Sequence, residues 1–520
     1  MEYLLLLALG FVVSIIFYKT TRTKTATMPP LPPGPTGYPI VGCLPKMVKN
    51  KPAFRWIHQT MQDFNTEIAC FHLGRVHFVV VSSPELARQF LKEQDAIFAL
   101  RPHSLSARIA SIDYLSAVLA PGGNQWKKMK KIMVSEVLSI GLHERLHARR
   151  CEEVDHLVRY IYNQCKNPCK NGVINVRDAV KLYCGSVIRK LVFGKRFFGS
   201  GLKDGGQGIE EREHMDGLFT TLSHLYGFAI ADCVPFLEMF DLDSHKKIVT
   251  NAIKCMRKYH DPEINNRVKM WRSGVRNTNK DILDVLISLK DSNNNPSLSI
   301  DEIKAQVNEI FLATIDNPSN IVEWAMAEMI NQPHFLHLAS KELDEVVGKN
   351  KLVQESDLSK LNYIKACVKE AFRLHPVGPF NLPHVSTADT VVGGYFIPKG
   401  SHILLSRLGL GRNPRVWEDP LEFKPERHIV NETSEVELND PELRMLSFSI
   451  GRRGCPGVRL GSTMATILLA RLIQGFVWRP PCDHASGIDL IESRGDLSLA
   501  TPLTAHAIPR LNSQVYQQIL

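Results

Sequence analysis

The 520-residue chain has no internal repeat with a period of roughly 20 to 50 residues and no long low-complexity tract, which excludes solenoids, propellers and a mostly disordered protein. It lacks the paired Cys and His spacing of a structural zinc site. Cys165 and Cys169 stand without a partner pair and read as ordinary thiols. Eleven cysteines, an odd number without framework spacing, do not describe a secreted disulfide scaffold and suit a reducing compartment. The net charge of +10 is scattered, with no interleaved aromatic and basic motif, so no nucleic-acid partner is expected. What remains is a chain with 44% apolar residues, long enough for one large body with a sizeable core.

One apolar run is long. Tyr3 to Tyr18 is broken only by Gly10 and Ser14 and is followed by Lys19, Arg22 and Lys24. It reads as a transmembrane anchor over residues 1–18, with a cleaved signal as the alternative. The basic flank lies on its C-terminal side, which places the remainder in the cytosol. Residues 19–43 read as a basic and proline-rich linker, because the prolines between Pro29 and Pro39 exclude helix and stiffen the chain. Residues 44–520 are then the catalytic body.

Within that body, alternation around Gly74 and Arg75 predicts a hairpin from Cys70 to Ser83, and a second β region runs from Thr390 to Ser406. Most of the rest carries helical periodicity. The clearest segments are 123–139, 144–165, 176–193, 210–225, 244–272, 299–331, 362–375 and 457–476. The fold class expected is mainly α with a small β part.

The chemistry centres on Phe448, Gly451, Arg453, Cys455 and Gly457, a lone cysteine in a glycine-rich loop directly ahead of a helix. A sulfur at a helix N-terminus meets unpaired backbone N–H groups, which favour the thiolate and predict a lowered pKa. The spacing resembles, position for position, the cysteine loop of the haem-thiolate monooxygenases, the cytochromes P450. The alternative from the loop alone is a buried structural cysteine.

The resemblance covers residues 30 to 510 and implies the cytochrome P450 fold, haem b with Cys455 as iron ligand, and Arg453 facing an acidic group of the haem. Glu370 and Arg373, one helical turn apart, with Arg427 further on, resemble the family's buried Glu-Arg-Arg network, an architectural device. Trp126 and Lys130 resemble the pair that meets a haem propionate, with lysine in place of the usual arginine. His384 occupies the position of another propionate-binding arginine. In segment 299–331, Asp316, Asn317 and Pro318 depart from the usual pattern, and they are taken as the catalytic set. Asn317 stands where a threonine hydroxyl normally helps deliver protons. Pro318 lacks an N–H, so the helix is expected to kink.

Asp316 to Asn320, Phe380 to Val385, Gly394 to Ser401 and Gly411 to Arg415 resemble the plant branch of amino-acid N-monooxygenases, which form aldoximes. That branch implies two N-hydroxylations of an aromatic or aliphatic amino acid, phenylalanine being the first guess, with O2 and with NADPH electrons from cytochrome P450 reductase at the endoplasmic reticulum membrane. Residues 103–113, 224–228, 311–317, 377–382 and 501–503 are expected to shape the pocket. Lys127, Lys128, Lys131, Arg452 and Arg459 are expected to face the reductase. The competing readings are a carbon-hydroxylating cytochrome P450, a reductase-independent haem-thiolate isomerase or dehydratase, and an anchored haem binder without turnover.

Overall fold

The computed structural model describes residues 28–431, 434–481 and 487–519. The expected anchor, Tyr3 to Tyr18, lies outside them, and among the described residues no helix is long and apolar enough to cross a membrane.

The body is mainly helical with three small sheets. Strands β1 (Ile68–Leu73) and β2 (Val76–Val81) form the expected hairpin, turning at Gly74 with φ 62°. The sheet continues through β7 (His402–Leu405), parallel to β2, and β4 (His384–Val385), antiparallel to β7. Strands β5 (Thr390–Val392) and β6 (Tyr395–Ile397) turn at Gly393 and Gly394, both at positive φ. A third sheet, in the order β3 (Val173–Asn175), β9 (Thr504–Pro509), β8 (Phe476–Arg479), was not expected. Its strands are distant in sequence and carry no hairpin signal.

The second half of the proline-rich segment does not stand off from the body. Cys70 N–H donates to the Pro33 carbonyl at 2.8 Å and Phe396 N–H to Pro30 at 2.9 Å. A Cβ on Gly34 would lie 1.9 Å from the Cys70 carbonyl oxygen, so glycine is required for this approach.

The helices that position the site are α1 (Gly123–Ile132), α2 (His147–Lys166), α3 (Val176–Phe193), α4 (Ile209–His224), α5 (His245–Arg272), α6 (Ile300–Thr314), α7 (Asp316–Asn331), α8 (Asn362–Leu374) and α9 (Val458–Gly475). The largest core lies among them, with Val187, Ile321, Trp324, Val368 and Leu468 all fully buried. Helix α6 starts on a capping box: Glu302 N–H donates to Ser299 Oγ at 3.1 Å, and Ser299 N–H to the Glu302 carboxylate at 2.8 Å.

The single helix expected over 299–331 is two helices, broken at Ile315. The cause is the missing N–H of Pro318, which is tolerated because it falls in the first turn of α7. Three side chains donate to backbone carbonyls around the break. Thr314 Oγ1 donates to Ile310 at 2.6 Å, Asn317 Nδ2 to Ala313 at 3.1 Å, and Ser319 Oγ to Ile315 at 2.8 Å.

Candidate active site

Cys455 stands three residues ahead of α9. Its N–H donates to the Phe448 carbonyl at 2.8 Å, and Gly457 N–H donates to its Sγ at 3.3 Å. Gly451, at φ 80°, passes the Leu91 carbonyl so closely that a Cβ would lie 2.5 Å from it. Burial pushes the Cys455 thiol up from its ordinary pKa, with the Gly457 N–H and Arg407 pulling the other way. This corrects the lowered pKa expected from the helix terminus: desolvation outweighs two weak favourable contacts.

Above the sulfur opens a cavity of about 1180 Å3, exceeding the roughly 300 to 1,000 Å3 that suffices for one small ligand. Cys455, Phe448 and Gly457 line one side; Ala313, Thr314, Asp316, Asn317 and Pro318 line it at the helix break.

A cluster of cations gathers on the wall. Arg453 donates from Nε to the Ala99 carbonyl at 2.7 Å and from Nη2 to Pro121, and its guanidinium lies 4.2 Å from the Trp126 ring centroid. Lys130 donates to the Arg452 carbonyl at 2.5 Å and lies 5.4 Å from the same ring. Arg101, which the sequence did not single out, donates to the Leu382 and Pro383 carbonyls at 2.6 and 2.9 Å, while its Nε is buried without a partner. Burial and the neighbouring Arg101 bring Arg453 down to about 9, and burial brings Arg101 to about 10. Among the described residues, none of Arg101, Lys130 and Arg453 has a carboxylate within 4.0 Å. Arg101 and Arg453 are buried, and a buried cation without counter-charge costs several kcal/mol, so the cluster is short of an anion; Lys130 beside them is half-buried.

His384 lies beside this cluster rather than on the cavity wall. Its Nδ1 meets the Phe98 carbonyl at 2.8 Å, which places the ring proton there and leaves Nε2 as a buried acceptor without a partner. Burial and Arg101 bring its pKa to about 3, so the ring is neutral in the free protein. A carboxylate could be held only by the doubly protonated ring.

The Glu370 network is closed. Arg373 donates to both Glu370 oxygens at 2.8 and 2.7 Å, and Arg427 at 3.1 Å. His428 adds a contact at 2.7 Å that the sequence reading missed. Burial pushes Glu370 up, but Arg373 and His428 outweigh it and hold the carboxyl at about 2. The network lies on α8 and the segment leading to the cysteine loop, away from the cavity.

The sequence of this chain matches the Cytochrome P450 family over residues 32–504. The chain belongs to the cytochrome P450 family. Relatives include Valine N-monooxygenase 1 of Manihot esculenta, 54% identical over 94% of this chain and 89% of the relative. Tyrosine N-monooxygenase of Sorghum bicolor is 51% identical over 94% and 88%, and Phenylalanine N-monooxygenase of Arabidopsis thaliana 51% over 98% and 98%.

Haem, the prosthetic group of cytochromes P450, fits the residues present. A sulfur faces the cavity, and three cations beside it lack counter-charges that two haem carboxylates would supply. Cys455 would hold the iron, with Arg101, Lys130, Arg453 and Trp126 meeting the carboxylate edge.

The pocket expected for a cytochrome P450 is only partly the one observed. His103, residues 224–228, and 377–382 line the cavity as expected. Phe311 instead turns into the core, against Phe193 and His260, with centroids at 5.7 and 4.4 Å. Residues 501–503 and 105–113 do not line it; residues 117–119 do. Of the basic residues expected to face the reductase, Lys128 is already paired with Glu302 at 2.6 Å and Arg452 with Asp95 at 3.3 Å, whereas Lys127, Lys131 and Arg459 are exposed.

Proposed function

We propose that this protein N-hydroxylates an amino acid twice and releases an aldoxime. The observation that carries the reading is that relatives 51 to 54% identical across nearly the whole chain are named for one chemistry on three different amino acids, valine, tyrosine and phenylalanine. The reaction is therefore common to these relatives while the side chain is not. The substrate class is an aliphatic or aromatic amino acid, and the apolar Val377, Phe380 and Leu382 on the cavity wall favour such a side chain.

Haem bound to Cys455 supplies activation of dioxygen, with electrons from NADPH through a reductase. The chain must supply position and protons. Each N-hydroxylation consumes one O2, two electrons and two protons and releases one water. The dihydroxylated amino acid then loses water and carbon dioxide, leaving the C=N–OH group of the oxime.

Asn317 is no acid, and one of its amide N–H groups is occupied by Ala313. The residue beside it in the chain, Asp316, is titratable and is raised by burial to about 6. Among the described residues its carboxylate accepts no hydrogen bond. Lys181 of α3, also on the cavity wall and without a hydrogen-bond partner for its amine, is the first of the charges acting on it, followed by Asp496, Arg177 and Glu323. Asp316 takes up and releases protons near neutral pH, and this is the role we assign it. The broken helix keeps Asp316 and Asn317 on the cavity wall, beside the amine of the substrate.

The N-terminal segment anchors the protein in the endoplasmic reticulum membrane, with residues 44–520 as a cytosolic body. Exposed Phe236, Met239, Phe240 and Leu242 in one short segment support contact with lipid. Exposed Lys127, Lys131 and Arg459 support docking of the reductase, which added salt would weaken.

The test is reconstitution with haem, cytochrome P450 reductase and NADPH against a panel of amino acids, followed by mass analysis. Oxime from at least one aliphatic or aromatic amino acid is expected. A protein with the thiolate haem spectrum that makes oxime from none contradicts the reading.

A further inference from the structure

Glu309 lies on α6, between the capped start of the helix and its break, and is 5% exposed. It pairs with no arginine or lysine side chain within 4.0 Å among the described residues. Its two oxygens instead collect donors from the loop that roofs the cavity. Oε1 accepts from the N–H groups of Ala117 at 3.1 Å and Val118 at 2.9 Å and from Gln306 Nε2 at 3.1 Å. Oε2 accepts from Val118 N–H at 2.9 Å, Leu119 N–H at 3.0 Å and the Ser116 hydroxyl. Backbone and amide N–H groups cannot accept, so this constellation selects the ionised carboxylate. Burial outweighs these donors and raises the carboxyl above its ordinary range, while Ser116, the Val118 and Leu119 N–H groups and Gln306 pull it down toward the ionised form.

The carbonyls of the same loop meet the arginines of the carboxylate cluster. The Val118 and Pro121 carbonyls accept from the Arg453 guanidinium, and Pro121 also accepts the Arg101 N–H at 2.9 Å. Glu309 is, moreover, a favourable charge for both Arg101 and Arg453. The three cations Arg101, Lys130 and Arg453 face two haem carboxylates, which leaves one positive charge over.

We propose that Glu309 is a positioning residue with two duties: it fixes the loop over the substrate to the oxygen-side helix, and it supplies the third negative charge that balances the haem-carboxylate cations. The loop then holds Val118 and Leu119 against the substrate in a fixed register with Ala313 and Asn317. The affinity half of this inference rests on the amino-acid reading above; the charge half rests on haem alone.

The experiment compares Glu309→Gln and Glu309→Asp with wild type in the haem-loaded protein, reading the haem midpoint potential without substrate and the oxime kinetics. Glu309→Gln removes the charge and turns an amide N–H toward backbone N–H groups, leaving buried donors unmade. Its potential is expected to move positive, with KM rising about ten-fold or more and kcat changing less. Glu309→Asp keeps the charge with a shorter reach: a near-native potential with a raised KM is expected. A Glu309→Gln variant with the thiolate carbonmonoxy spectrum and either a native potential or a native KM overturns the proposal. So does a Glu309→Asp potential displaced as far as that of Glu309→Gln. Should Glu309→Gln fail to take up haem, Glu309→Asp carries the test, and a native KM there overturns the proposal. Wild-type protein that makes no oxime defeats the amino-acid reading, while the potentials still decide the charge half.

Discussion

Around Glu370, every charge is met by another part of the chain: Arg373, Arg427 and His428 converge on one carboxylate, and Arg373 spends its remaining donors on the Gly411, Pro420 and Glu422 carbonyls. Around Arg453 the charges do not close. Arg101, Lys130 and Arg453 lean on backbone carbonyls; Glu309 and Tyr226 act on the two arginines from a distance, and Asp95 on Lys130. Both clusters flank the cysteine loop, yet the first closes its charges within the chain and the second, with Arg101 and Arg453 buried and Lys130 half-buried, does not. A buried charge network that is complete without ligand is architecture, and one that is short of counter-charge marks a binding site.

The sharpest way to break that contrast is to delete one member of each cluster. Glu370→Ala leaves Arg373 and Arg427 facing each other and should cost about 3 to 5 kcal/mol in the haem-free protein, read from denaturant midpoints. An unchanged midpoint would remove the architectural role.

Acid should reach the closed cluster next. Glu370 is held at about 2 in the folded protein, below the ordinary carboxylate range, so its stabilisation is present above that range and is lost as pH falls from about 4.5 toward about 2. The loss amounts to about 3 kcal/mol, and Glu370→Gln should flatten that part of a stability-versus-pH curve.

Arg453→Leu should do the opposite of Glu370→Ala in the haem-free protein, leaving stability unchanged or raised, because it relieves an unbalanced cation. Its loss should appear in haem retention, weaker by roughly 1.5 to 3 kcal/mol in a haem-transfer titration. Equal losses of apoprotein stability in Arg453→Leu and Glu370→Ala would erase the distinction. The smallest effect is expected from Lys130→Arg, which restores a forked donor and should tighten haem by about 0.5 to 1 kcal/mol in the same titration.

How far the sequence could be read follows the same division. Cys455, Glu370, Arg373 and Arg427 sit in short runs of fixed spacing, and the hairpin at Gly74 and the break at Pro318 follow from backbone chemistry local to a few residues. Arg101, Glu309 and Lys181 were not legible, because each acts across the fold on partners far along the chain, and no local pattern separates them from ordinary surface charges. The direction of the Cys455 thiol pKa was missed for a related reason: the helix terminus is visible in sequence, whereas the protein atoms that crowd the cavity-facing sulfur are not. The third sheet escaped because pairing between β3 and β9 joins segments more than three hundred residues apart.

Delivery of oxygen to the nitrogen of the amino acid, rather than to a carbon, separates the N-monooxygenase reaction from every competing one. The most direct measurement feeds an amino acid carrying heavy nitrogen to the reconstituted protein under heavy-oxygen gas and weighs the product. The expected product is an oxime that keeps the heavy nitrogen, carries one heavy oxygen bonded to it, and has lost the carboxyl carbon. A product that keeps the carboxyl group and carries its heavy oxygen on carbon would contradict it.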